Sequence, residues 1–289
     1  MYKSLEEIAQ VSKQKNIPFW QVILEDDCKE RMVSPEQSKK ELMAMYQAMK
    51  EADAAYDAKQ KSRSGMVGGN GQLFNDAVVS GKTICGPVIA SAIEKALKMG
   101  ESNACMKRIV AAPTAGACGV VPAVYLTLQE QRQIDDERML EAMYIASGVG
   151  GVIANRAFLA GAAGGCQAEI GSASSMAAAG AVYLAGGDTE AIIHAAAMAM
   201  KNLLGLACDP VAGLVEVPCV KRNVVGAVNA LSAADMALAG VRSIIPPDEV
   251  FDAMRSVGIS LPEAIRETGK GGLAATTTGQ KIAQGLQHE

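Results

Sequence analysis

The sequence predicts an all-α fold: a multi-helix domain whose functional residues sit in loops at helix ends. Three observations lead there. Apolar stretches near 87–98, 120–131, 138–147, 151–162, 173–185, 189–206 and 224–240 have the length of helices, and glycine or proline punctuates most of them. Few segments show the strict alternation or the β-branched density that strands require. Helix-start signals stand near the N-terminus: Ser4-Leu5-Glu6-Glu7 and Ser34-Pro35-Glu36-Gln37 both fit a capping box, the second with proline at the first helical position.

The elements follow in order. Residues 1–63 hold 22 charged residues, against 27 Lys and Arg and 31 Asp and Glu in the whole chain, so this part reads as a helical segment with a solvated face packed on the body. Its second capping box opens a helix expected from Pro35 to near Lys59, with Leu42, Met45, Tyr46, Met49 and Tyr56 along one face. From Ser62 the texture changes. Gly65 and Gly68-Gly69-Asn70-Gly71 mark a turn, and residues 64–289 read as the catalytic body. A glycine loop also invites a phosphate, as in pyridoxal-phosphate enzymes. No strand pattern precedes it and no lysine stands in a Schiff-base context, so a surface turn is the preferred reading.

The chain is 49% apolar but only 4% aromatic, so its core must pack through Ala, Val, Ile, Leu and Met, with 29 glycines permitting close helix approach. A net charge of −4 offers no electrostatic footprint for nucleic acid. The most apolar region, 172–207, is broken by Gly186-Gly187-Asp188, Glu190, His194 and Lys201 and reads as buried core, not as a bilayer span. The opening Met-Tyr-Lys-Ser-Leu-Glu-Glu lacks the apolar stretch of a signal peptide, so a cytoplasmic location is expected. Seven cysteines without a Cys-x-x-Cys pair argue for reduced thiols over a disulfide framework, a zinc ribbon or a thioredoxin motif.

Several motifs carry chemistry. In Ala112-Pro-Thr-Ala-Gly-Ala-Cys-Gly119, small residues admit a ligand to the backbone, and helix-start N–H groups with the Thr114 hydroxyl suit a carboxylate. The same loop also suits a tight helix–helix connection. In Gly164-Gly-Cys-Gln-Ala-Glu-Ile-Gly-Ser-Ala-Ser-Ser175, Glu169 could orient a ligand, accept a proton or pair with a cation, and the serines can cap the next helix. Cys166, Cys208 and Cys219 each stand in a loop marked by glycine or proline, whereas packing cysteines sit inside apolar runs. Three thiolates from separate loops can hold three corners of an iron–sulfur cube and leave the fourth iron open as a Lewis acid. Cys85 and Cys118 also lie near turns, so spacing alone does not select the ligand set; Cys28 and Cys105 count as non-ligands. Histidine is scarce. His194 lies in an apolar helix pattern and reads as a hydrogen-bonded core residue, while His288 is one residue from the end, which disfavours a Ser-His-Asp triad or a His-rich metal site.

Taken together, Ala112–Gly119 with Val121-Pro-Ala, Gly165-Cys-Gln-Ala-Glu-Ile-Gly-Ser172, Cys208-Asp-Pro-Val-Ala-Gly-Leu214 and Val217-Pro-Cys-Val-Lys-Arg-Asn223 resemble the iron–sulfur L-serine dehydratases. The chain looks like the alpha subunit of the two-subunit bacterial form, over about residues 64–275. That resemblance implies a mainly helical catalytic chain with cluster- and substrate-binding loops, a [4Fe–4S] cluster on Cys166, Cys208 and Cys219, and conversion of L-serine through aminoacrylate to pyruvate and ammonia. It also implies a separate beta chain, related to phosphoglycerate-dehydrogenase regulatory domains, with a serine-rich, histidine-containing motif near the active site. Thr114, Gly116, Ser172 and Asn223 are the candidate substrate contacts. Glu169 is this chain's own candidate base, and the beta chain is expected to donate the effective one. Some single-chain relatives end in a cysteine that reaches the fourth iron; here the chain ends in Gln-His-Glu289. The alternatives are an iron–sulfur L-cysteine desulfidase-type lyase and a non-catalytic helical interaction protein.

Overall fold

The computed structural model describes residues 2–286. Their α-helices run in the order α1 (Leu5–Lys15), α2 (Phe19–Arg31), α3 (Pro35–Ala54), α4 (Asn70–Val79), α5 (Pro87–Ala104), α6 (Val120–Arg132) and α7 (Asp136–Arg156). A short α8 (Gly161–Gly164) is followed by α9 (Ser172–Leu184), α10 (Thr189–Lys201), α11 (Cys219–Leu238), α12 (Pro247–Ser260) and α13 (Thr277–Leu286). Among the described residues no strand forms, and one isolated bridge pairs Cys208 with Arg266. The fold is all-α, as the periodicity predicts. No helix of the described residues is long and apolar enough to cross a membrane.

The centre is α9, on which α6, α7, α10 and α11 pack. Every residue of α9 except Tyr183 is buried. A helix surrounded on all sides must be narrow, and its run of alanines makes it so. Its two buried serines turn their hydroxyls onto neighbouring backbones: Ser174 Oγ donates to Gly226 O (2.9 Å) and Ser175 Oγ to Ala196 O (2.8 Å). Gly180 is required by close approach, since a Cβ there would meet the hydroxyl of the fully buried Tyr125 at 1.8 Å.

The N-terminal helices are fastened to this body by apolar packing and, at the start of α1, by a carboxylate. Leu5, Ile8, Phe19, Val22, Tyr46 and Met49 belong to the same buried cluster as α7 and α9. Asp248, in the first turn of α12, accepts from Ser4 Oγ (2.7 Å), Leu5 N (2.9 Å) and Glu6 N (3.2 Å), satisfying the free donors at the start of α1. Only the forward half of each predicted capping box forms: Glu7 N donates to Ser4 Oγ and Gln37 N to Ser34 Oγ, while the Gln37 side chain turns to Glu41 instead.

Helix α3 stops at Ala54, short of the expected Lys59, for tertiary reasons. Lys107 Nζ donates to Ala55 O (2.9 Å), and Tyr56 turns away to place its hydroxyl 2.6 Å from Glu101 Oε2. Tyr46 and Met49 are buried as expected, but Met45 faces solvent.

Glu101 explains the glycine turn at 68–71. Its buried carboxylate accepts from Gly68 N (3.1 Å), Asn70 N (2.9 Å), Gly71 N (3.2 Å) and the Asn70 side-chain amide, besides Tyr56. The donors that a phosphate would need are thus committed within the protein. Burial alone would raise the Glu101 carboxyl, but these hydrogen bonds, led by Tyr56, hold it below its ordinary value. A depressed carboxyl contributes stability that is complete above its unfolded value of about 4.3 and is lost as pH falls through the lower folded value. Glu101→Gln is therefore expected to cost about 1.5–3 kcal/mol at neutral pH. Urea unfolding at neutral pH and below pH 4 should show the gap between variant and parent closing in acid.

Candidate active site

The three cysteine segments are each held in place by specific local structure. Gly165, at a left-handed φ of 77°, ends α8 and turns the chain into Cys166; a Cβ there would lie 2.9 Å from Leu206 O. A wide π-turn, Gln167–Gly171, then leads into α9, the kind of irregular turn that often marks a functional site. Gln167 is fully buried and pins this turn, donating to Gly164 O (2.9 Å) and Met254 O (3.0 Å) and accepting from Gly205 N (2.9 Å). Cys208 is extended, its N donating to Ile265 O (2.8 Å) and its O accepting from Glu267 N (2.7 Å). Cys219 is the first residue of α11.

These segments meet. The Cys166 and Cys208 thiols lie close enough to interact directly, and Cys219 lies within the electrostatic reach of Cys166 and Glu169. All three are buried, at 3%, 3% and 9% exposure. The interaction with Cys166, then burial, pushes the Cys208 thiol far above its ordinary value, and burial chiefly pushes Cys219 up to about 12. Cys208 and Cys219, crowded and buried, are poor acids until a metal group takes their protons, as coordination deprotonates a thiol outright. Among the described residues no three His, Cys, Asp or Glu side chains close to the spacing of a single-ion site.

Gly161 leaves room at this junction. A Cβ there would lie 2.8 Å from Cys208 Sγ, 2.9 Å from Glu169 Oε2 and 3.3 Å from Glu267 Oε2. Glu169 joins the cysteine cradle to the loop at 112–119, since Thr114 Oγ1 donates to its Oε1 (2.7 Å) and Gly116 lies against both its oxygens. Burial raises the Glu169 carboxyl above its ordinary value; the Thr114 hydrogen bond opposes this, and the charge of Glu267 adds to it. Two clefts reach the region. One, of about 900 Å3, touches it at Glu267 and is walled by Leu214, Lys270 and α13. The other, of about 710 Å3, reaches Ala115 between Arg63, Met106 and Leu214.

The other predicted contacts have distinct surroundings. Asn223 is buried, with its amide spent on backbone: Nδ2 donates to Gly116 O (2.8 Å) and Cys219 O (3.0 Å), and Oδ1 accepts from Gly119 N (2.8 Å). It ties the Thr114 loop to the helix that carries Cys219. Ser172 is fully buried and its hydroxyl has no partner among the described residues. Of the other cysteines, Cys118 is buried with its Sγ toward Met99 O (3.7 Å), and burial, with no other thiol acting on it, pushes it up to about 12. Cys85 is exposed, and Cys28 and Cys105 are half-buried. His194 is engaged away from the cradle, its Nδ1 accepting from Ser243 N (3.2 Å). His288 lies outside the described residues.

Arg222, Asp209, Glu267 and Gly161 are absent from the sequence-derived candidates. Arg222 and Asp209 carry a usable signal: both are charged residues within three positions of a candidate cysteine, in the charge-poor part of the chain. Glu267 and Gly161 carry none, because only the tertiary fold brings them to Cys208.

The family model for the serine dehydratase alpha chain matches residues 14–274. The chain is 45% identical over 288 residues to a probable L-serine dehydratase alpha chain of Bacillus subtilis (strain 168), covering 98% of this chain and 94% of that protein. It is 42% identical over 294 residues to the L-serine dehydratase alpha chain of Peptoniphilus asaccharolyticus, covering 100% of this chain and 99% of that one. An L-serine dehydratase of Escherichia coli (strain K12) is 43% identical over 181 residues, which are 62% of this chain but only 40% of that longer protein. The chain belongs to the serine dehydratase alpha chain family.

Proposed function

We propose that this chain is the catalytic alpha subunit of an L-serine ammonia-lyase, removing water from L-serine to give aminoacrylate, which hydrolyses to pyruvate and ammonia. The observation that carries this reading is the meeting of three cysteine segments with the Thr114–Gly116 loop through Glu169. Family membership supplies the substrate: the relatives matched over nearly their full length are named L-serine dehydratase alpha chains.

The donor set fits a [4Fe–4S] cluster on Cys166, Cys208 and Cys219. Cys166 acts on both Cys208 and Cys219, no other thiol acts on Cys118, and Gly161 carries no side chain beside Cys208. When bound, such a cluster supplies a Lewis acid for the β-hydroxyl, because one iron has no protein ligand. The rest falls to this chain's own residues. Thr114 and, in the turn at Ala115–Ala117, the backbone N–H groups of Ala115 and Gly116 receive the carboxylate. Asn223 holds that turn against α11, fixing the distance between carboxylate and cradle. Glu169 Oε2, beside Gly161, is the chain's own position for holding a proton, and the buried, unpaired hydroxyl of Ser172 lies one turn further on. A beta chain completes the site and donates the base for the α-proton. The alpha-chain names of the full-length relatives support a partner, and so does the longer single chain of the Escherichia coli protein. Seven free cysteines suit a reducing cytoplasm.

Pyruvate release from L-serine and from L-cysteine, measured anaerobically with the partner present, tests the reading. Serine is expected to be the better substrate; preferential release of sulfide from cysteine would instead indicate a desulfidase.

A further inference from the structure

One guanidinium touches all three cysteine segments. Arg222 lies one turn into α11, the helix that Cys219 begins. Its Nη1 donates to Ala207 O (2.7 Å), the residue before Cys208, and its Nη2 pairs with Asp209 Oδ1 (2.8 Å), the residue after it. It also lies within electrostatic reach of the Cys166 sulfur. Asp209 is buried and is fixed in turn by Leu273 N, which donates to its Oδ2 (2.7 Å); Gly272 makes room, since a Cβ there would lie 2.3 Å from that oxygen.

We propose that Arg222, oriented by Asp209, is a positioning residue that retains the cluster and sets its charge environment; this rests on the cluster reading above. Three thiolates around a cube carry more negative charge than its irons cancel, in a site from which water is largely excluded. A buried ion needs a counter-charge, and the planar fork of arginine supplies one while bonding both flanks of Cys208. Partners behind a metal's direct ligands typically change affinity by about 10–100-fold when removed. Neutralising Arg222 leaves the Asp209 carboxylate uncompensated beside the thiolates, so the cluster should be harder to reduce and easier to lose.

The test compares wild type, Arg222→Gln, Arg222→Lys and Asp209→Asn after anaerobic reconstitution with iron and sulfide. It follows bound iron and sulfide, decay of the iron–sulfur absorption in air, and the reduction potential. Arg222→Gln should lose the cluster about tenfold faster or more and move its potential negative. Arg222→Lys should keep the potential near wild type, because charge is retained, yet lose the cluster faster, because the fork to Ala207 and Asp209 is gone. Asp209→Asn should also shed the cluster faster. If Arg222→Gln fails to fold, the lysine variant still decides through its potential and its decay. Wild-type loading with unchanged potential and decay in the variants overturns the role of Arg222. Failure of the wild type to take up a cluster overturns the cluster reading itself.

Discussion

Replacing Cys166, Cys208 or Cys219 with serine is expected to reduce serine turnover to background and to abolish the iron–sulfur absorption. Each lies in a different segment, so none can substitute for another: Cys166 follows Gly165 with its positive φ, Cys208 is pinned between Ile265 and Glu267, and Cys219 begins α11. Serine keeps size and hydrogen bonding but is a poor ligand for iron. Cys118→Ser and Cys85→Ser are the controls, because the first points to Met99 O and the second is exposed. Both should retain the cluster. Iron and sulfide analysis beside pyruvate release reads the contrast, and a Cys118→Ser protein without cluster would move the ligand set.

Adding the partner chain to the reconstituted alpha chain is expected to raise turnover by about 10²–10⁴-fold, the usual contribution of a positioned general base. The chain's described histidine is unsuited to that role: His194 spends Nδ1 on Ser243 N, and its Nε2 lies 3.8 Å from Glu190. Burial, followed by Arg242, holds His194 below its ordinary value, so it is a neutral structural group on α10. Full turnover by the alpha chain alone would mean that Glu169, or another of its own groups, is the base.

Signals that act over a few residues were legible from sequence. Ser4 and Ser34 cap their helices where the pattern places them, and alanine-rich periodicity marks α9 and α10 as core. The end of α3 was not legible, because it is decided by Lys107 and Glu101, far away in sequence. Met45 was misplaced for a simpler reason: it lies about 100° around the helix from the buried Tyr46, at the outer edge of the stripe. The site divides in the same way. The cysteines stand out because glycine and proline surround them. Thr114 and Glu169 each carry a local signal, but their hydrogen bond spans 55 residues and no spacing rule announces it. Asn223 belongs to a recognisable motif, yet its amide is committed to backbone groups. Arg222 needs Ala207, Asp209 and Cys166 in place before its geometry means anything.

The most direct test of the central claim is an anaerobic visible spectrum of the reconstituted chain with its partner, recorded during titration with L-serine. Broad iron–sulfur absorption that serine perturbs saturably is expected, with the perturbation lost when Thr114 is replaced by valine and the absorption lost when any of the three cysteines is replaced. A chain that turns over serine without taking up iron and sulfide would contradict that claim, as would a cluster whose spectrum is indifferent to serine.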